Sequence, residues 1–268
     1  MKNLLEQARW LSLDIVIGAV ILLFFICDVH NIPDNSFVVI ALAISVWLIY
    51  TIDHLLDVRN LSKPTTHRHQ FHKKYYSEIS RVAFFVLVAG SVNFLFIPIE
   101  VLLYGLILVL FSVFYLVLQR RFAVAGMKEL IVAIGYSSGI FLYAFVQKGL
   151  EIMLIMEWFQ LFLIAFANIL LVATYDASAD KKDGIPSLVI SRGKRRVKIF
   201  IYFFLFICLA LNILCFWLGF PVLYQVFVSF SLLSLVLVNL FYGFFSTSER
   251  FRVAADGIFY FPLLLMLW

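Results

Sequence analysis

From Ile152 to Lys194 the sequence reads IMLIMEWFQLFLIAFANILLVATYDASADKKDGIPSLVISRGK. A long apolar run passes directly into Asp176 and Asp180 and then into a string of Lys and Arg. Roughly 20 apolar residues cross a bilayer as a helix, so residues 153 to 175 predict a transmembrane span that ends in acidic chemistry. The rest of the chain repeats the pattern. Of 268 residues, 64% are hydrophobic and 14% charged, with thirty Phe and a mean hydropathy of +1.02. Soluble domains are about 45 to 50% apolar and about 25% charged, so a soluble protein is excluded.

Nine candidate helices follow, at about 10 to 27, 36 to 52, 81 to 98, 101 to 119, 129 to 147, 153 to 175, 198 to 218, 222 to 245 and 253 to 268. The expected architecture is all-α: a polytopic membrane protein with about nine transmembrane helices around a central cavity. Residues 1–268 form one integral-membrane domain, with no room for a separate soluble one. Pro98 and Gly219-Phe220-Pro221 predict tight helical hairpins. Cys27, Cys208 and Cys215 lie inside apolar runs and read as packing residues. The first apolar run is too long for a cleaved signal, and no transit-peptide composition precedes it.

Loop charge orients the chain. With nine spans, 20 of the 21 Lys and Arg fall on one side, Lys148 being the exception. The positive-inside rule then makes the N-terminus and the two long loops, at about 53–80 and 176–197, cytoplasmic in what is expected to be a bacterial inner membrane. The net charge of +5 therefore reports topology and not nucleic-acid binding.

Both long loops open on the same spacing: Asp53-His54-Leu55-Leu56-Asp57 after span two, and Asp176-Ala177-Ser178-Ala179-Asp180 after span six. Residues i and i+4 share a helix face, so each pair of carboxylates can share a cation. An even number of spans separates the motifs, which brings both to one side. Four carboxylates around one cavity repel unless positive charge sits among them. Mg²⁺ takes a few carboxylates plus water and phosphate oxygens. With Arg68, Arg120, Arg121, Lys128 and Lys194 in connections on the same side, the pattern points to a bound diphosphate.

Ser45 and Asn168 each lie eight residues before a motif and either extend a polar stripe into the cavity or bond between helices. Asp14 and Asp256 sit near inner span ends, Asp256 reading as a local partner of Arg252. Gly135, Ser137, Ser138 and Gly139 read as packing residues. His67, His69 and His72 share a loop with His54, but five histidines are too few for a membrane di-iron site; they donate near phosphates or face water.

The second motif, Tyr175-Asp176-x-x-x-Asp180-x-x-x-Gly184-x-x-Ser187-Leu188 followed by Ser191-Arg192-Gly193-Lys194, resembles that of the UbiA superfamily of intramembrane prenyltransferases, and the resemblance extends over nearly the whole chain. The first motif departs from the family form Asn-Asp-x-x-Asp-x-x-x-Asp: Asp53 and His54 replace Asn and Asp, and Leu61 replaces the last Asp. The resemblance implies transfer of an isoprenyl group from an isoprenyl diphosphate to a hydrophobic, usually aromatic, acceptor. It implies Mg²⁺ held by Asp53 and Asp57 and by Asp176 and Asp180, with the diphosphate on Arg68, Lys128 and Lys194. His54 is the candidate base. A terpene cyclase on the same scaffold, or a non-catalytic homologue that binds lipid or diphosphate, are the alternatives.

Overall fold

The computed structural model describes residues 2–59, 61, 64–122, 126–184, 187–247 and 250–267, and for 2–5 and 115–122 the backbone alone. Its elements are all helical. In order they are α1 (Lys2–Trp10), α2 (Leu13–Val29), α3 (Ser36–Arg59), α4 (His67–Lys74), α5 (Tyr76–Asn93), α6 (Ile99–Phe122), α7 (Met127–Lys148), α8 (Ile152–Asp183), α9 (Leu188–Arg192), α10 (Lys194–Trp217), α11 (Val222–Leu240), α12 (Tyr242–Phe245), α13 (Arg250–Gly257) and α14 (Pro262–Leu265).

Among the described residues six helices, α3, α5, α7, α8, α10 and α11, are long and apolar enough to cross a membrane. The apolar α2 has 17 residues, and α6 is apolar over Ile99–Phe114. The ninth expected span differs from expectation. Its run breaks into α13, a 3₁₀ turn at Ile258–Tyr260, and α14. Pro262, at the first position of α14, has no N–H to give and crowds the preceding turn, so one continuous helix cannot form there. The break matters because it carries Asp256 and Phe259 to the cavity wall.

At about 1.5 Å per residue, the 32 residues of α8 span about 48 Å, well beyond a hydrocarbon layer of about 30 Å. Its final turns, with Asp176, Asp180 and Asp183, therefore stand at the membrane boundary as helix and not as loop. The α8 helix is the centre of the bundle, and Leu161, Ile164, Ala167, Leu170 and Leu171 are fully buried on it. By contrast, α5 and α6 turn large side chains outward, Phe85, Leu87 and Leu110 among them. Apolar residues this exposed are suited to lipid.

The turns form as their residues dictate. Gly219 has φ +73° and lets Phe220 N–H reach back to the Cys215 carbonyl at 3.0 Å, closing α10 before Pro221 starts α11. The three cysteines are buried free thiols. At the end of the bundle away from the motifs, His30 Nε2 meets Glu157 Oε2 at 2.6 Å and the Tyr224 hydroxyl donates to the Glu157 carbonyl at 2.7 Å. Gln160, Gln225 and Asn212 bond to one another beside them, tying α8, α10 and α11 by interhelical hydrogen bonds.

Candidate functional site

Both acidic motifs face one cavity of about 220 Å³. Asp53 and Asp57 are on the last turns of α3, one helical turn apart, and point to the same side. Lys128, at the start of α7, places its ammonium between them, with Nζ 2.9 Å from Asp53 Oδ2 and 3.2 Å from Asp57 Oδ2. The end of α3 is itself capped by Lys73, whose Nζ donates to the carbonyls of Val58 and Arg59 at 3.3 and 3.0 Å. A cation there satisfies the orphan acceptors of a helix C-terminus.

His54 sits behind this pair. Its Nε2 is 3.3 Å from Ser12 Oγ and its ring lies edge-on to His72, centroids 5.0 Å apart. Its Nδ1 is buried without a hydrogen-bond partner. Ligand atoms of Asp53, His54 and Asp57 all lie within 4.8 Å of one another.

The α4 helix lays Arg68 and His69 over the cavity from the side. Thr66 caps it, its hydroxyl accepting from His69 N–H at 3.1 Å, as a threonine before a first turn does. His69 Nδ1 is 2.6 Å from Asp183 Oδ2, and Asp183 Oδ1 also accepts from Thr65 N–H at 3.0 Å. Burial pulls the His69 imidazole below its ordinary pKa against the opposing attraction of Asp183. Burial takes His72 down to about 4. Arg68 is also lowered by burial, while Asp176, Asp57 and Asp180 pull it back up, and a guanidinium remains charged throughout. Its Nε has no partner, leaving a donor for an anion in the cavity.

The opposite wall is the end of α8. Asp176 accepts a hydrogen bond from Arg252 of α13, and Asp180 lies one turn on, also facing the cavity. Tyr175 fixes this turn from behind, stacked between Tyr242 and Phe251 at 4.4 Å from each. Glu129 reaches across from α7 to accept Leu188 N–H at 2.8 Å, and Ser187 caps α9 through its hydroxyl. Gly126, with φ +90°, starts α7 where a Cβ would meet Leu188 Cδ1 at 2.9 Å. The start of α7, which carries Lys128, is thus pinned to the segment after the second motif through Gly126, Glu129 and Leu188.

Deeper in, past Val132, Ile169 and Val172, the cavity becomes polar again at Asp14, Tyr136, Asn168 and Asp256. Asn168 donates to Asp256 Oδ1 at 3.3 Å. A second, apolar chamber of about 120 Å³ lies between α3, α6 and α7, bordered by Leu42, Val46, Gly105, Gly135, Gly139 and Tyr143.

No family model matches the sequence, and no curated protein matches it. Among solved structures the chain is similar to one described as giving structural and mechanistic insights into the biosynthesis of digeranylgeranylglyceryl phosphate synthase in membranes. The TM-score is 0.55 at 17% identity, over 100% of this chain and 95% of that one. The chain shares that membrane fold.

Within this fold, seven of the eight residues to which the resemblance gives a metal, diphosphate or base role line one cavity: Asp53, His54, Asp57, Arg68, Lys128, Asp176 and Asp180. Lys194 is placed differently. Its Nζ donates to the Tyr242 hydroxyl at 3.3 Å and lies 5.6 Å from that ring's centroid. The side chains of Arg120 and Arg121 fall outside the described residues. His67 is exposed, whereas His69 and His72 are buried, so the histidine run splits by helix face. Ser45 borders the apolar chamber, and Ser138 accepts from Trp158 Nε1 at 3.2 Å. Arg252, which sequence spacing set beside Asp256, donates a hydrogen bond to Asp176 as well. Asp183 and Tyr136 carried no distinguishing signal in the sequence.

Proposed function

We propose that this protein transfers an isoprenyl group from an isoprenyl diphosphate to a lipophilic acceptor inside the membrane. The observation that carries the reading is the convergence of two i, i+4 aspartate pairs, from α3 and α8, on one cavity with Arg68 and Lys128. The UbiA resemblance of the second motif and the shared membrane fold support it. Paired carboxylates and bases at the boundary of an apolar bundle suit a ligand with a diphosphate head and a hydrocarbon tail. The apolar chamber suits the tail. Val46, Ile49 and Asp53 follow one face of α3 and Lys128, Val132, Gly135 and Gly139 one face of α7, at helical spacing, so the acidic cavity and the apolar chamber lie along the same two faces.

The donor set fits Mg²⁺. Asp53 with Asp57, and Asp176 with Asp180, offer paired carboxylate oxygens, the ligands that hard cation prefers. When bound, Mg²⁺ supplies positive charge to the diphosphate oxygens as the allylic C–O bond breaks. Arg68, whose side chain lines the cavity, would donate to the same oxygens, and Lys128, on a flexible stem, can pass from the carboxylates to the diphosphate. His54, beside Asp53 and Asp57, is the candidate base for the proton the acceptor loses. The apolar walls keep water from the allylic cation. The positive-inside pattern puts this mouth on the cytoplasmic side.

Purified protein in detergent, given geranyl, farnesyl and geranylgeranyl diphosphates with and without Mg²⁺, tests the reading. The expected result is Mg²⁺-dependent binding and diphosphate release that Asp176→Asn/Asp180→Asn abolishes. A wild type that neither binds nor cleaves any of the three overturns it. The ammonium of Lys128 already bridging Asp53 and Asp57 favours one second reading, a diphosphate-binding homologue without turnover, which binds the donors but releases no diphosphate.

A further inference from the structure

The acidic mouth does not account for the inner end of the same cavity. Along α8 the lining runs from Asp180 and Asp176 through Ala173, Val172 and Ile169 to Asn168. Asn168 is eight residues from Asp176, about 12 Å along the helix. Between them the wall is apolar, so Asn168 belongs to a separate polar group, completed by Asp256 of α13, Asp14 of α2 and Tyr136 of α7.

Two atoms of this group are left without partners. The Tyr136 hydroxyl and Asn168 Oδ1 are both buried and unbonded, on residues only 8% and 5% exposed. Buried polar atoms in native proteins are ordinarily bonded, and an exception calls for a missing partner. Asn168 gives one of its two amide hydrogens to Asp256, and Asp14 Oδ1 accepts its neighbour's backbone N–H at 3.0 Å. The group therefore offers acceptors in excess: two carboxylates and an amide oxygen, with one hydroxyl that can take either role. Tyr136 lies within electrostatic range of both carboxylates.

We infer that this inner group binds the head of the acceptor substrate, and that the head is an uncharged group presenting hydroxyl hydrogens. The inference rests on the prenyl-transfer reading for the word acceptor; the binding site itself does not. An anionic head would face Asp14 and Asp256, and like charges at short range disfavour its ionised form. An ammonium head is not required for charge balance, because Arg252 and Arg9 already act on Asp14 from the mouth side. A hydroxyl supplies the hydrogen that Asn168 Oδ1 lacks, and accepts from Tyr136 in return.

The test is direct binding of short amphiphiles to the protein in nanodiscs, without any diphosphate, by calorimetric titration. The probes are 1-O-hexylglycerol and 4-hexylphenol (neutral), hexyl phosphate (anionic) and hexylammonium (cationic). At least one neutral probe is expected to bind more tightly than both charged ones, and Tyr136→Phe and Asp256→Asn are each expected to weaken it by about tenfold. Thermal unfolding in the nanodisc reports whether each variant is folded, and geranylgeranyl diphosphate binding is measured separately; should Asp256→Asn fail to fold, Tyr136→Phe, which removes only the hydroxyl, decides. Equal or tighter binding of a charged probe, no binding of either neutral one, or unchanged affinity in a folded variant overturns the inference. If the wild type binds a neutral probe but no prenyl diphosphate, prenyl transfer fails and the hydroxyl site stands.

Discussion

His69 Nδ1 lies 2.6 Å from Asp183 Oδ2, with both side chains almost wholly buried. The pair joins the loop after α3 to the last turn of α8, holding Arg68 over the second motif. A hydrogen bond to a charged group contributes about 1.5 to 3 kcal/mol. Asp183→Asn is expected to release α4, raising amide exchange over residues 64–74 while leaving α10 and α11 unchanged. Prenyl diphosphate affinity should fall by about tenfold, through Arg68 and not through any lost ligand. Unchanged exchange in that segment would remove the latch.

The same helix predicts a pH response. Burial lowers His72 from 6.5 to about 4, so between those values the unfolded chain binds a proton that the folded one does not. Stability from this residue is fully present above pH 6.5 and is lost as pH falls toward 4. His69 shifts in the same direction. Thermal unfolding in detergent should move to lower temperature across that window, and His72→Gln should flatten the dependence. An identical slope in the variant would assign the effect elsewhere.

Lys128 yields a prediction with two opposite signs. Its ammonium bonds Asp53 and Asp57, the oxygens a divalent cation would take. Lys128→Gln should therefore strengthen Mn²⁺ binding, followed by electron paramagnetic resonance, while weakening prenyl diphosphate binding by about tenfold or more. Parallel losses of both would mean that Lys128 is structural.

Much of this was legible in advance, for identifiable reasons. Apolar runs and a four-residue spacing are local, so the helices and both aspartate pairs follow from sequence alone, and the side on which the bases cluster brings the motifs together. Pairings across the bundle are not local. Arg252 at i, i+4 from Asp256 reads as that residue's local partner, but its hydrogen bond to Asp176 joins α13 to α8, which spacing along one helix does not reveal. Lys194 follows the second motif closely in sequence, but Gly193 starts α10 there and the lysine is carried to the ring of Tyr242. Asp183 resembles any acid at a helix end until α4 folds over it.

Gly126 can be probed simply. Its φ of +90° suits glycine, and an added Cβ would sit 2.9 Å from Leu188 Cδ1. Left-handed backbone costs a non-glycine residue about 1 to 2 kcal/mol before any clash. Gly126→Ala should lower the unfolding temperature and weaken donor binding together, since the strain falls between Lys128 and the second motif segment. A variant as stable as the wild type would show that Leu188 moves aside freely.

The apolar chamber gives a prediction about donor length. Gly135 and Gly139 form part of its wall on α7, and a Cβ on Gly139 would rest in ordinary contact with Leu42 Cδ1, at 3.4 Å. Alanine is thus tolerated there, whereas Gly139→Leu must project into the chamber or push on Leu42. A hydrocarbon tail housed in that space would lose room from its far end. Geranylgeranyl diphosphate should weaken by about tenfold relative to geranyl diphosphate, the order expected for excluding a few methylenes at about 0.8 kcal/mol each. Gly139→Ala should leave the ratio near that of the wild type. Equal losses for all three donors in Gly139→Leu would place the tail outside the chamber, against the lipid-facing surface.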